Sequence, residues 1–241
     1  MKVSFPVILF SLLTWACTTK KSMLSTDQTT PAITTPAHKE KLSYLALGDS
    51  YTIGEAVAPQ ESFPFQLQDL LSAKNLDVSS PRIIATTGWT TDELQSAIKQ
   101  ADIQKKYDFV TLLIGVNNQY RGYPIERYKE EFSALLQNAI VFASGRKDRV
   151  FVVSIPDWGS TPFGKGSGKD INTIAKEIDA FNAVNQTIAL AAGVSYTDIT
   201  PASRNAATDL GLVAKDGLHP SGKMYASWAD ELSPKVLKAL D

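Results

Sequence analysis

Cysteine is all but missing from this chain: Cys17 is the only one among 241 residues. No internal disulfide can therefore form, and thiolate-built zinc sites are excluded. Histidine is nearly as scarce, with two in the chain, His38 and His219. A single imidazole in the folded part, with no spaced carboxylate cluster beside it, makes no recognisable metal site, so neither metal nor cofactor is expected. An excess of either charge is lacking too. Lysine plus arginine number 24 against 25 aspartates and glutamates, a formal net charge of −1, which gives no electrostatic case for a nucleic-acid partner. The apolar run at 3–16 falls short of the roughly 18 residues of a membrane span.

What is present begins with an address. Met1-Lys2 and the mostly apolar stretch after it have the layout of an export signal over 1–16, to be set aside before the fold is read. The signal ends in Thr14-Trp15-Ala16-Cys17, which resembles the lipobox of bacterial lipoproteins, although Thr14 stands where leucine is usual and Leu13 lies one position further back. The resemblance implies cleavage before Cys17, lipidation of that residue, and a membrane-anchored lipoprotein of a bacterial cell envelope, facing the periplasm or on the cell surface. An ordinary signal peptide or a plain buried cysteine is the alternative. Residues 17–39 are rich in Thr, Ser, Pro, Lys and Gln. Such a segment buries too little apolar surface to offset its ordering entropy and reads as a flexible tether. His38 falls within it, so His219 is the lone imidazole of the remaining domain, 40–241, which is long enough for one sizeable core.

Along that domain, short β-branched apolar runs at 42–47, 82–86, 109–116, 150–155 and 194–199 have the character of strands buried on both faces. Helical patterns separate and follow them at 63–73, 91–101, 125–143, 171–192 and 221–240. Five strands alternating with five helices imply a doubly wound, three-layer α/β/α sandwich around a five-stranded parallel sheet. Ligands of such sheets sit beyond the carboxyl ends of the strands, where the strand order reverses. Four polar, glycine-bearing segments fall there: Gly48-Asp49-Ser50-Tyr51, Thr87-Gly88-Trp89, Gly115-Val116-Asn117-Asn118 and Asp216-Gly217-Leu218-His219.

A serine hydroxyl is a weak nucleophile until a base takes its proton, and His219 is the one imidazole available to Ser50. With Asp216 three residues before His219, a tight turn brings the carboxylate to Nδ1–H and turns Nε2 toward the serine. These parts together point to ester hydrolysis. They also resemble the SGNH hydrolases, the GDSL-type lipases and esterases, over essentially the whole domain. The family's Gly-Asp-Ser signature matches Gly48-Asp49-Ser50, its second-strand glycine Gly88, its Gly-x-Asn motif Gly115-Val116-Asn117, and its Asp-x-x-His motif Asp216 and His219. The resemblance implies a flavodoxin-like fold, Ser50, His219 and Asp216 as catalytic triad, and an oxyanion hole from the Ser50 and Gly88 backbone N–H groups and the Asn117 amide. Tyr51 departs from the leucine of the family name. Asn118 stands where many members carry aspartate, which bears on the network orienting Asn117.

Trp89, Tyr120, Tyr123, Trp158 and Phe163 follow strands, and Trp89, Tyr120 and Trp158 are the leading candidates to line a substrate pocket, the alternative being a cover for the sheet edge. Two other motifs fall short. Gly159-Ser160-Thr161-Pro162-Phe163-Gly164-Lys165-Gly166 lacks the Ser or Thr that a phosphate-binding P-loop needs after its lysine and reads as a flexible loop. The α/β-hydrolase elbow needs a second glycine where Thr52 stands. Three functions remain: an esterase acting on acyl esters of a lipid or small alcohol outside the cytoplasm, an O-acetyl esterase acting on polysaccharide, and an inactive surface lipoprotein that binds glycan or lipid. The intact set of five site residues argues against the last.

Overall fold

The strands form because their residues are apolar on both faces, which only a sheet covered by helices on both sides can bury. The structure, a computed structural model, describes residues 41–240. The expected export signal, Cys17, the whole of the expected tether 17–39 and Glu40 lie outside the described residues. Five parallel strands, β1 Tyr44–Gly48, β2 Arg82–Ala85, β3 Phe109–Leu113, β4 Val150–Val153 and β5 Ser195–Thr197, are ordered β2-β1-β3-β4-β5. The three inner strands are wholly buried, while β2 and β5 are partly exposed edges.

Helices α2 (Phe63–Ala73) and α9 (Gly222–Leu240) pack together on one face. Helices α3 (Thr91–Gln100), α5 (Ile125–Phe142) and α7 (Ile171–Ala192) lie side by side on the other. In α9 the buried positions Tyr225, Trp228, Leu232 and Val236 recur at helical spacing and give one apolar stripe toward the sheet. This is the expected α/β/α sandwich. Strand order reverses between β1 and β3, so the crevice beyond their carboxyl ends is where a ligand belongs. No helix among the described residues is long and apolar enough to cross a membrane.

Four short helices were not expected from the sequence, and all lie at the carboxyl end of the sheet: α1 (Ser50–Ile53), α4 (Val116–Tyr120), α6 (Pro162–Gly166) and α8 (Thr200–Arg204). Strand β3 stops at Leu113 rather than running to Val116. Gly115 turns the chain at φ +133°, and a Cβ there would lie 2.7 Å from both Ile155 and Tyr128. The backbone therefore leaves the sheet at Gly115 and winds at once into α4. The 159–166 run is not a flexible loop. It forms a turn of 3-10 helix at Trp158–Ser160 and then α6, packed so closely that a Cβ on Gly164 would sit 2.3 Å from the Trp158 carbonyl.

Candidate active site

The buried strand β1 delivers Asp49 and Ser50 to the crevice. Asp49 is extended and caps α1, its Oδ1 accepting from the Tyr51 N–H at 3.0 Å. Ser50, the first residue of α1, is thereby held at the turn, and its own N–H has no hydrogen-bond acceptor among the described residues. Asp49 is completely buried and its Oδ2 is unpartnered. Burial pushes its carboxyl up to about 7, against the opposing pull of the Tyr51 N–H bond.

The second contributor is the turn before α9. Asp216 Oδ1 accepts from the N–H groups of Leu218 (2.9 Å) and His219 (3.0 Å), while Oδ2 lies 2.5 Å from His219 Nδ1. One carboxylate thus shapes the turn and fixes the ring, leaving Nε2 as the free nitrogen. Burial opposes ionisation of Asp216, but the His219 ring and the two backbone N–H groups hold its carboxyl below the ordinary range. His219 is buried, with the Tyr51 ring edge-on to it at 5.8 Å between centroids. Ser221, where the expected helical pattern begins, precedes α9. The Ser221 carbonyl accepts from the Tyr225 N–H at 3.0 Å, and its hydroxyl accepts from the Met224 N–H at 3.4 Å.

The third and fourth contributors face each other across the β1/β3 switch. Gly88 follows β2 at φ +86°, with its N–H lacking an acceptor among the described residues. Asn117, in α4, donates one amide hydrogen to the Trp89 carbonyl at 2.9 Å, leaving the other free. Asn118 is wholly buried and binds Thr91 at the start of α3, accepting from its N–H at 3.1 Å and donating to its hydroxyl oxygen at 2.6 Å. That hydroxyl spends its own hydrogen on Glu131. The position therefore needs both a donor and an acceptor, which an amide supplies and a carboxylate does not.

Ser50 and His219 line one cleft of about 210 Å³ together with Tyr51, Val116, Asn117, Tyr120, Trp158, Phe163 and Leu218. Trp158 is nearly buried and donates its indole N–H to Gln119 at 2.8 Å, and Gln119 in turn donates to Glu177 at 2.6 Å. Tyr120 (44% exposed) and Phe163 (41%) flank it as an open aromatic rim. Trp89, expected here, is absent from the cleft walls. Trp89 borders a separate depression with Asp92, Glu93 and Ser96, and its carbonyl accepts from Asn117 at 2.9 Å. Gly88 likewise is not among the residues lining the cleft. No group of three or more potential metal-ligating side chains occurs among the described residues.

Residues 46–226 match the sequence profile of the GDSL-like lipase/acylhydrolase family. The chain belongs to that family. GDSL-like hydrolases cleave carboxylic esters, and this chain is accordingly an ester hydrolase. Among solved structures, the lipase Lip_vut3 from a goat rumen metagenome is 20% identical, with a TM-score of 0.66 over 81% of this chain and 97% of that one. A mutant of an acetyl-xylooligosaccharide esterase from Geobacillus Stearmophilus is 19% identical, with a TM-score of 0.58 over 83% of this chain and 94% of that one. The lipase/acylhydrolase of Enterococcus faecalis is 17% identical, with a TM-score of 0.64 over 81% and 95%. At these identities the likeness is one of fold. No curated protein sequence matches the chain. Arg121 of this GDSL-like hydrolase belongs to none of the sequence motifs, yet its Nη2 donates to the Gly88 carbonyl at 2.7 Å. Its signal was a cation four residues after Asn117, visible only once α4 is known to be a helix.

Proposed function

We propose that the protein is an exported serine esterase in which Ser50 attacks the ester carbonyl, His219 takes its proton and Asp216 holds the imidazole. The observation that carries this reading is the 2.5 Å contact between Asp216 Oδ2 and His219 Nδ1, on a ring that shares its cleft with Ser50. Attack forms the Ser50 Oγ–carbon bond and moves the carbonyl π pair onto oxygen. The Ser50 and Gly88 N–H groups and the free Asn117 amide hydrogen are the donors for that charge, the term on which such reactions depend most. Collapse expels the alcohol, which takes the proton back from His219 Nε2. Water then repeats the sequence on the acyl-enzyme and returns Ser50.

The cleft volume favours short acyl groups. The open Tyr120 and Phe163 rim suits an alcohol moiety with an apolar face, including a sugar ring, so an O-acetylated polysaccharide is the second reading. The acetyl-xylooligosaccharide esterase among the fold neighbours is compatible with it. Rates on p-nitrophenyl acetate, butyrate and octanoate, beside acetate release from acetylated xylan, separate the readings. Turnover of the small esters supports the esterase, acetate release at a comparable kcat/KM favours the glycan, and no turnover of any of them contradicts both. We further propose that Cys17 carries lipid and tethers the domain to an envelope membrane.

A further inference from the structure

Two of the three expected oxyanion donors sit on segments that the chain must hold in mutual register, and a single side chain spans them. Asn117 lies in helix α4, and Arg121, one helical turn on, caps its C-terminal end. Asn117 Nδ2 donates to the Trp89 carbonyl at 2.9 Å, and Arg121 Nη2 donates to the Gly88 carbonyl at 2.7 Å. Two consecutive carbonyls of the β2–α3 loop are thus gripped from one short helix. The guanidinium is steadied in turn by Glu93 in the first turn of α3, whose Oε1 accepts from Nη1 at 3.3 Å while its Oε2 accepts from the Thr90 N–H at 2.8 Å. Arg121 is fixed to α4 as well, its N–H donating to the Asn117 carbonyl at 3.0 Å.

We infer that Arg121 is a positioning residue for the oxyanion hole. It locks the Gly88 carbonyl, and through that peptide the direction of the Gly88 backbone, relative to Asn117. Gly88 needs such a lock because glycine at φ +86° gains nothing from its own side chain and has a mirror conformation of similar energy. The planar fork of arginine lets one group hold the carbonyl and Glu93 together, which the point charge of lysine does less well. Ion pairs this exposed contribute little to stability, so the effect belongs to the rate of the reaction. Loss of an oxyanion donor costs about a hundred- to a thousandfold in kcat, and one that is mispointed should cost about ten- to a hundredfold.

The inference rests on the serine-esterase reading, and the test keeps the two apart. Wild type, Arg121→Ala and Arg121→Lys are compared in p-nitrophenyl acetate turnover, in the rate at which an activated alkyl phosphonate bonds to Ser50 by mass spectrometry, and in hydrogen exchange of the 86–91 backbone. For Arg121→Ala we expect kcat to fall about ten- to a hundredfold with KM within about twofold. Phosphonylation should slow in parallel, exchange in 86–91 should quicken, and Arg121→Lys should recover part of each. A kcat and phosphonylation rate within about twofold of wild type, or a loss residing entirely in KM, overturns the inference. If wild type neither turns over nor is labelled at Ser50, the esterase reading fails. The exchange arm then still decides whether Arg121 holds the loop, unchanged exchange overturning that as well.

Discussion

Two aspartates flank the reacting groups with opposite electrostatics, and each makes its own prediction. Asp216 is held ionised by three hydrogen bonds, so a neutral imidazole finds its orienting anion throughout the range where it acts as a base. Asp216→Asn keeps an acceptor for the turn but sets an amide N–H against Nδ1. We expect kcat/KM to fall about a hundredfold or more with little change in Tm. The wild-type kcat/KM profile should fall on its acid side through a single protonation, and a flat profile from about pH 4 to 9 would exclude histidine as the base. Asp49 behaves conversely. Its folded pKa of about 7 lies above its unfolded value, so the folded state binds the extra proton and stability falls as pH rises from about 4 through 7. The change is of the order of a few kcal/mol. Asp49→Asn keeps the Oδ1 acceptor and should flatten the fall of Tm between about pH 5 and 8, and an unaltered slope contradicts the assignment. At this scale local motifs brought forward Ser50, Asn117 and His219, which line one cleft, and Asp216, which contacts the His219 ring. The sequence misdirected Trp89 because the way a loop aromatic turns is decided by packing, and it concealed Arg121 because that role depends on a neighbouring loop.

At the scale of elements, the strands and long helices were legible because their periods are strong, whereas the ends were set by contacts distant in sequence. Strand β5 is two residues shorter at its far end and one at its start than the apolar pattern, as suits an edge with one hydrogen-bonded neighbour. Helix α9 continues through Pro234, where the Ser233 hydroxyl lies 3.5 Å from the Asp230 carbonyl that the proline leaves without its N–H partner. The junction of β3 and α4 is the least forgiving. Gly115→Ala adds a left-handed strain to a 2.7 Å clash with Ile155 and Tyr128, and should destabilise by about 3 kcal/mol or more, read as a lower urea midpoint. A midpoint equal to that of wild type would mean that this turn has room the packing denies.

For the whole molecule, the sandwich was readable from alternation alone, because a parallel sheet needs helices on both faces. The proposed delivery to a membrane rests on Cys17 and the segment around it, which lie outside the described residues. Cys17→Ser should leave the protein unprocessed or released to the soluble fraction, while a wild-type mature chain that begins elsewhere than residue 17 and partitions as soluble contradicts lipidation. The domain's chemistry should survive that release, since every side chain assigned to the site lies within 50–219. The most direct measurement is the kcat/KM of Ser50→Ala on p-nitrophenyl acetate beside wild type, with circular dichroism and Tm on both. Turnover should vanish to background while fold and Tm are retained, because the replaced hydroxyl is small and the cleft holds no other base-paired nucleophile among the described residues. A folded Ser50→Ala protein that turns over near the wild-type rate contradicts the triad.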